Sequence, residues 1–142
     1  VIKYADQVPA GRLFALGGWA GGLCSVLLLA LGYTPVGQSF LQLLIGSDPA
    51  LGAAAQQVVR YGLAVPLLVA CQNVLQGFCI ANHRNRWING AGLVGVVVTL
   101  IGAQWGVLQG WPGATVGAVS VTLGLAAEVA ILVAIRPWRS SK

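Results

Sequence analysis

Four long stretches of the sequence carry no charged side chain except one glutamate, and they constrain the fold more than any other feature. They cover residues 13–31, 61–81, 90–109 and 114–135, and the glutamate is Glu128. A helix needs about 20 apolar residues to cross a bilayer. Because lipid offers the backbone no hydrogen-bond partner, each stretch is predicted to be helical. The sequence therefore predicts an all-α, polytopic membrane protein with four transmembrane helices.

The connection between the first and second spans is predicted to contain a short interfacial helix. Residues 36–46 are apolar but too few to cross the membrane. Ser47 or Asp48, followed by Pro49, is a typical helix start, with a capping side chain and a proline at the first helical position. Residues 50–60 are rich in alanine and are predicted to form this helix, which leads into the second span.

The composition argues against a water-soluble protein. The chain is 57% hydrophobic and 8% charged, whereas a typical soluble domain is about 45–50% apolar and roughly 25% charged. So few charges cannot solvate the surface of a globule, which argues against a soluble enzyme, a nucleic-acid-binding domain and a disordered chain. The formal net charge is +5, but the cations lie between the apolar stretches, so no nucleic-acid partner is expected.

Seven of the eight lysines and arginines fall on one side of the membrane if the chain crosses it four times. They are Lys3, Arg12, Arg84, Arg86, Arg136, Arg139 and Lys142. The excess of positive charge in cytoplasmic loops predicts that this side faces the cytoplasm, with both termini inside. The inner membrane of a bacterium is the expected location. Arg84, Arg86, Arg136 and Arg139 are predicted to contact anionic lipid headgroups.

Glycines recur at helical spacing in three of the spans. Gly17 and Gly21 lie in the first, Gly95 and Gly102 in the third, and Gly117 and Gly124 in the fourth. In lipid, helices associate through close packing, and small residues allow their backbones to approach. These six glycines are therefore predicted to line helix–helix contacts. The same pattern is compatible with faces that slide during a transport cycle.

Polar side chains at membrane depth are the candidates for function. Glu128 lies about 10 Å from the inner end of the fourth span, and Asn73 and Gln76 lie about 12 and 7 Å from the inner end of the second. We expect Glu128 to point inward and to meet Asn73, Gln76 or a snorkelling Arg84 or Arg86. A carboxyl in this position is usually functional, although a structural hydrogen bond between helices is an equal alternative.

Arg60 is the one cation outside the basic side, near the outer end of the second span. Its side chain either snorkels outward or lines a polar access route for anions. With Glu128, Asn73 and Gln76 it completes the hypothetical transport pathway.

Chemistry at a covalent or metal centre has no support in the sequence. Cys24, Cys71 and Cys79 fall inside apolar segments and are interpreted as small apolar side chains. His83 is interpreted as a solvated loop residue rather than a pigment or metal ligand. No catalytic residue, metal site or cofactor is predicted, and the chain is not expected to be an enzyme.

The order of several motifs resembles the progressive ankylosis protein family, which is similar to multidrug and toxin extrusion transporters and lipid flippases. The resemblance covers residues 27–136, and its most specific part is the last motif. The motifs are Gly32-Tyr33-Thr34-Pro35-Val36-Gly37, Asp48-Pro49, Arg60 ahead of a proline-containing span, Arg84-Asn85-Arg86, and Gly113-Ala114-Thr115-Val116-Gly117 running to Glu128.

The resemblance implies a transporter that exports small anionic metabolites. Members of this class use two bundles of about six helices around a central cavity, whereas this chain offers only four spans, matching the last four of the second bundle. The sequence begins with Val1 and contains no methionine. The chain is therefore expected to be one helical bundle, residues 1–142, within a larger transporter-like assembly.

A different class of function stays open beside the transporter. The chain could be a non-catalytic structural subunit of a larger membrane complex, binding neighbouring subunits, lipids or pigments through its apolar and glycine-rich faces. A four-helix multidrug exporter acting as a dimer is a weaker third interpretation, because such proteins carry an essential glutamate in their first span and this chain has no acid there.

Overall fold

The computed structural model describes residues 10–45 and 48–135, and these residues form six helices with no strand among them. The all-α prediction is therefore confirmed for this part of the chain. The helices are α1 (Ala10–Tyr33), α2 (Pro35–Ile45), α3 (Pro49–Tyr61), α4 (Val65–Ala81), α5 (Asn85–Leu108) and α6 (Gly113–Ala134).

Three of the helices are long and apolar enough to cross a membrane, and a fourth crossing is formed only if two helices are taken together. The three are α1, α5 and α6, which correspond to the predicted spans at residues 13–31, 90–109 and 114–135. The predicted span at residues 61–81 corresponds to α4 from Val65 onward, and Tyr61 is the last residue of α3. The two helices pass the same test only as a pair, which is bent by 45°.

The bend between α3 and α4 follows from the local sequence. Gly62 ends α3, and its N–H donates to the carbonyl of Val58. Pro66 stands in the first turn of α4, where its missing N–H does no harm but where it cannot extend a preceding helix. The predicted short helix is present as α3, but its 45° angle to α4 makes it an oblique continuation of that helix, and its interfacial position stays a prediction.

The start of α2 repeats the start of α3. Thr34 accepts a hydrogen bond from the N–H of Gly37 at 3.0 Å, and Asp48 accepts one from the N–H of Ala50 at 2.9 Å. In both cases a proline, Pro35 or Pro49, follows the capping residue. A cap followed by proline is a favoured helix start. The same signal in the sequence therefore predicts α2 as well as α3.

The helices pack as two antiparallel pairs joined through α6. The α5–α6 pair has the most extensive contact, and α1 packs on α4. Because α6 also contacts α3 and α4, it connects the pairs. At the end where the α4–α5 loop lies, Leu75, Cys79, Ala91 and Leu132 form a buried cluster.

The turns after α4 and α5 use the same backbone motif. His83 has a positive φ of 55°, and Gly110 has a φ of 70°. Arg84 N–H donates to the Cys79 carbonyl, and Trp111 N–H donates to the Gly106 carbonyl. These six-to-one bonds define the Schellman ending of a helix, in which a left-handed residue reverses the chain.

Candidate functional site

Glu128 is the buried charged residue of the described helices, and it is bound by an amide from a neighbouring helix. Its side chain is 8% exposed. Gln76 on α4 donates from Nε2 to Oε1 of Glu128 at 2.9 Å. Within the described ranges this is the one polar contact of the Glu128 side chain. The structure therefore brings together Glu128 and Gln76.

The second carboxylate oxygen of Glu128 faces α5 at a glycine. A Cβ atom added to Gly95 would lie 3.4 Å from Oε2 of Glu128 and 3.1 Å from the carbonyl oxygen of Gly124. Any larger side chain at this position would push α5 away from α6. Gly95 thus allows three helices, α4, α5 and α6, to meet at one carboxyl group.

A pocket of about 260 Å³ opens beside the carboxylate between α5 and α6. Its walls are mostly apolar, and its polar lining comes from Glu128 and Thr99. The Thr99 hydroxyl donates to the Gly95 carbonyl at 2.9 Å, which leaves the Glu128 carboxyl as the ionisable group facing the pocket. The pocket therefore presents one ionisable group, which can bind a proton, within apolar walls.

Asn73 was one of the predicted partners of Glu128, but it makes no contact with the carboxyl group. Its side chain is exposed on α4, and Gln76, one turn further along, makes the contact with Glu128 instead. The depths estimated from sequence bracketed Glu128 between the two amides, so depth alone could not choose between them. Arg84 and Arg86, the other proposed partners, belong to the turn and first residues of α5.

Arg60 lies in a separate cluster at the opposite end of the bundle. Its Nε donates to the Gly32 carbonyl at 3.1 Å, and Gln56 donates to the same oxygen at 3.2 Å. Its guanidinium lies 4.9 Å from the centre of the Tyr33 ring. Pro35 and the turn at Thr34 interrupt the helical hydrogen bonding here, which explains why side chains bind this carbonyl. Arg60 therefore does not join Glu128 in one cluster.

Five of the six glycines predicted to pack lie against a neighbouring helix. Gly17 and Gly21 face α4, whereas Gly95, Gly102 and Gly124 lie in the α5–α6 contact. Gly117 differs, because it is exposed and a Cβ added to it would meet no atom within 4 Å. The regular spacing in α6 suggested one stripe, but only part of that stripe faces α5.

The structure also places polar groups that the sequence analysis did not select. Ser120 is 2% exposed and lies beside Gly102. Thr115 on α6 donates to Gln57 Oε1 of α3 at 3.2 Å. The Thr122 hydroxyl donates to the Ala118 carbonyl of its own helix at 2.7 Å and lies 3.4 Å from the Tyr61 carbonyl of α3. The two threonines are seven residues apart on one helix and therefore share a face, which could have identified them as contacts of a common neighbouring helix.

The remaining predicted residues fall outside the site or outside the described chain. Cys24, Cys71 and Cys79 are free thiols. His83 forms the left-handed end of α4. Arg136 and Arg139 lie outside the described residues. Across residues 10–45 and 48–135, no group of three or more His, Cys, Asp or Glu side chains is arranged to hold a metal ion.

The chain matches no protein-family model, and searches of curated proteins and of solved structures find no significant match. The resemblance to the progressive ankylosis family therefore stays a prediction from the motifs of the sequence.

Proposed function

We propose that the chain is part of a membrane transporter of the progressive-ankylosis and multidrug-extrusion class that exports small anionic metabolites. The observation that carries the proposal is the Glu128 carboxyl at membrane depth, bound by Gln76 of another helix and facing a pocket. Ionisable groups inside spans are rare and usually belong to ion or substrate pathways.

The carboxylate is assigned to the coupling ion rather than to the cargo. A carboxylate repels an anionic metabolite, but it attracts a proton or a metal cation. Gln76 orients the carboxylate through one oxygen, and the other oxygen is left for the ion. Asn73 is exposed on α4 and does not line the pocket, so it is not assigned to the route of the ion. Arg60 attracts anions at the far end of the bundle.

The test is flux in proteoliposomes that contain the full-length protein. Vesicles loaded with citrate or pyrophosphate are placed in a pH or sodium gradient, and efflux is followed. Glu128→Gln is expected to abolish the dependence on the gradient, and Gln76→Leu to weaken it. Asp48→Asn is the matched control, since Asp48 caps α3 and asparagine caps helices equally well. Gradient-dependent flux that persists in Glu128→Gln would remove the carboxyl from the mechanism.

The orientation is proposed from the cations of the sequence. The α4–α5 turn with Arg84 and Arg86, and Arg12 at the start of α1, are assigned to the cytoplasmic side of a bacterial inner membrane. Both termini then face the cytoplasm, and the basic residues contact anionic lipids. A single cysteine at Asn85, in a cysteine-free background, is expected to resist impermeant maleimide in intact cells, whereas one at the exposed Gln109 should react. The reverse labelling would invert the orientation.

A second candidate is a non-catalytic subunit of a larger membrane complex, and one observation favours it. Asn73 is exposed near the middle of α4, and an amide facing lipid without a partner is costly. A helix of a neighbouring subunit, or of the remainder of a longer chain, would satisfy it. Purification in fixed stoichiometry with other subunits, together with absent flux, would decide for this candidate. Bound pigments would appear in the absorption spectrum of that complex.

A further inference from the structure

The immediate surroundings of Glu128 hold no positive charge that would compensate an ionised carboxyl group. Gln76, which donates to Oε1, is a neutral amide. The adjacent pocket is lined by glycines and aliphatic side chains, apart from Thr99 and Glu128 itself. A carboxylate enclosed in this way is costly, because the interior replaces water with groups that cannot balance its charge.

The other ionisable groups of the three helices that meet at Glu128 do not supply the missing charge. On α4 they are the thiols of Cys71 and Cys79, which are free. On α5 the ionisable side chain is Arg86, which stands in the first turn, nine residues before Gly95. Along the described length of α6, Glu128 is the one ionisable residue. The carboxyl group therefore needs a bound ion for its compensation.

A metal cation would find too few ligands in the pocket. Hard cations such as calcium and magnesium take six or more oxygen ligands, and sodium also requires several. The side-chain oxygens at the pocket are those of Glu128 and Thr99, and the Thr99 hydroxyl already donates its proton to the Gly95 carbonyl. The carbonyls of α5 and α6 accept hydrogen bonds within their helices, so they are not free to turn towards an ion.

A proton needs no further ligand, because it forms a covalent bond with one carboxyl oxygen. We propose that the ion bound at Glu128 is a proton, which adds to Oε2 while Oε1 continues to accept from Gln76. The site then discriminates against sodium through its lack of ligands. This inference rests on the transport function proposed above, for which it names the coupling ion.

The carboxyl group can be reached by a small apolar reagent. The pocket beside it is also lined by Val96, Leu100 and Val121, whose side chains are exposed on the apolar surface of the bundle. Dicyclohexylcarbodiimide reacts with a protonated carboxyl group. The acid proton moves to a nitrogen of the reagent, and the carboxyl oxygen bonds to its central carbon. The whole reagent is added and nothing leaves, so labelling reports on the bound proton.

The test measures this labelling on the full-length protein in liposomes, by mass spectrometry of its peptides. The pH is varied in sodium chloride and in choline chloride. We expect the label on Glu128 to fall about tenfold for each pH unit above its midpoint, as for a single proton, and to be equal in both salts. Glu128→Gln should remove the label. Asp48→Asn, which changes an exposed carboxyl group, should leave it unchanged.

A second pair of variants tests access through the pocket. Gly92 lines the pocket, and a Cβ atom added to it would meet no atom within 4 Å. Gly92→Leu is therefore expected to fill the pocket and to remove most of the labelling, although Glu128 is retained. Gly90→Leu is the matched control, because Gly90 also has open space around it but does not line the pocket.

Two results would overturn the proton assignment. The first is saturable protection of Glu128 by sodium at constant pH, and the second is labelling that does not change with pH. Neither measurement depends on transport. Absence of gradient-driven flux, with labelling that follows pH, would contradict the transport function alone. Flux driven by a sodium gradient, with protection by sodium, would contradict the proton assignment alone.

Discussion

The two antiparallel helix pairs of the bundle use glycine in the same way but differ in what surrounds it. Between α1 and α4, a Cβ added to Gly17 would lie 3.0 Å from Val74 Cγ2, and one added to Gly21 would lie 2.9 Å from Leu67 Cα. Between α5 and α6, a Cβ added to Gly95 would approach the Gly124 carbonyl and the Glu128 carboxylate.

The difference shows that small residues allow close packing in both pairs, but that only the α5–α6 pair encloses polar groups. Close approach of α1 and α4 produces an apolar contact that a stacked pair, Phe14 and Phe78 with ring centres 6.0 Å apart, completes at one end. Close approach of α5 and α6 leaves polar groups inside the contact, and α4 reaches one of them through Gln76. The α5–α6 contact is therefore expected to be more sensitive to substitution.

The largest effect is expected at Gly124. An added Cβ would overlap Thr99 Oγ1 and lie 2.7 Å from the Gly95 carbonyl oxygen. Gly124→Ala should therefore separate α5 from α6 and lower the free energy of unfolding by about 3 kcal/mol, the upper range for overpacking. Gly117→Ala is the control on the same helix, because its Cβ meets nothing within 4 Å. Equal unfolding midpoints of the two variants in detergent would contradict the tight α5–α6 contact.

The corresponding change in the α1–α4 pair is Gly21→Ala. Its Cβ would lie 2.9 Å from Ala70 Cβ, Leu67 Cα and the Pro66 carbonyl. Two of these atoms belong to the backbone of α4, so the helix itself must move, and we expect a loss of about 2 kcal/mol. Gly22→Ala, one residue further with open space around it, should not destabilise the protein. A larger loss for Gly21→Ala than for Gly124→Ala would reverse the comparison.

The turn that closes the α5–α6 pair provides a third test. Gly110 has a φ of 70°, and a side chain in this left-handed conformation costs roughly 1–2 kcal/mol. Gly110→Ala should lower the unfolding midpoint accordingly. His83 occupies the equivalent position after α4 with a φ of 55°, so His83→Gly should raise stability by a similar amount. The two substitutions are expected to change the unfolding midpoint in opposite directions, and changes in the same direction would contradict the prediction.

The smallest effect concerns the contact that joins the pairs. Gln76→Leu and Glu128→Leu, alone and combined, form a double-mutant cycle for the 2.9 Å hydrogen bond. Interhelical hydrogen bonds in membranes average about 0.6 kcal/mol and reach roughly 1.7 kcal/mol, so we expect a coupling energy in this range. The cycle of Asn73→Leu with Glu128→Leu is the control, because Asn73 is exposed and should show no coupling.

The helices themselves could be predicted from the sequence. Long uncharged stretches indicate spans directly, and α1, α5 and α6 lie within a few residues of their predicted positions. The cap at Asp48 and the proline after it predicted α3. The break at Gly62 and Pro66 was present in the sequence, but apolar residues continue through it and suggested one unbroken span.

The rotation of each helix about its axis could not be predicted. A soluble helix shows its buried side through a polar opposite face, whereas a helix in lipid is apolar all round. For this reason Asn73 and Gln76 looked equivalent, although only Gln76 faces Glu128. Gly117 and Gly124 looked equivalent for the same reason, although only Gly124 contacts α5.

The position of α6 has a consequence for biosynthesis. This helix comes after α3, α4 and α5 in the chain, yet it contacts all three. Gln76 is synthesised 52 residues before the carboxyl group that it binds. The bundle can close only once α6 has been made, so any nascent chain that lacks α6 leaves the Gln76 amide without this partner.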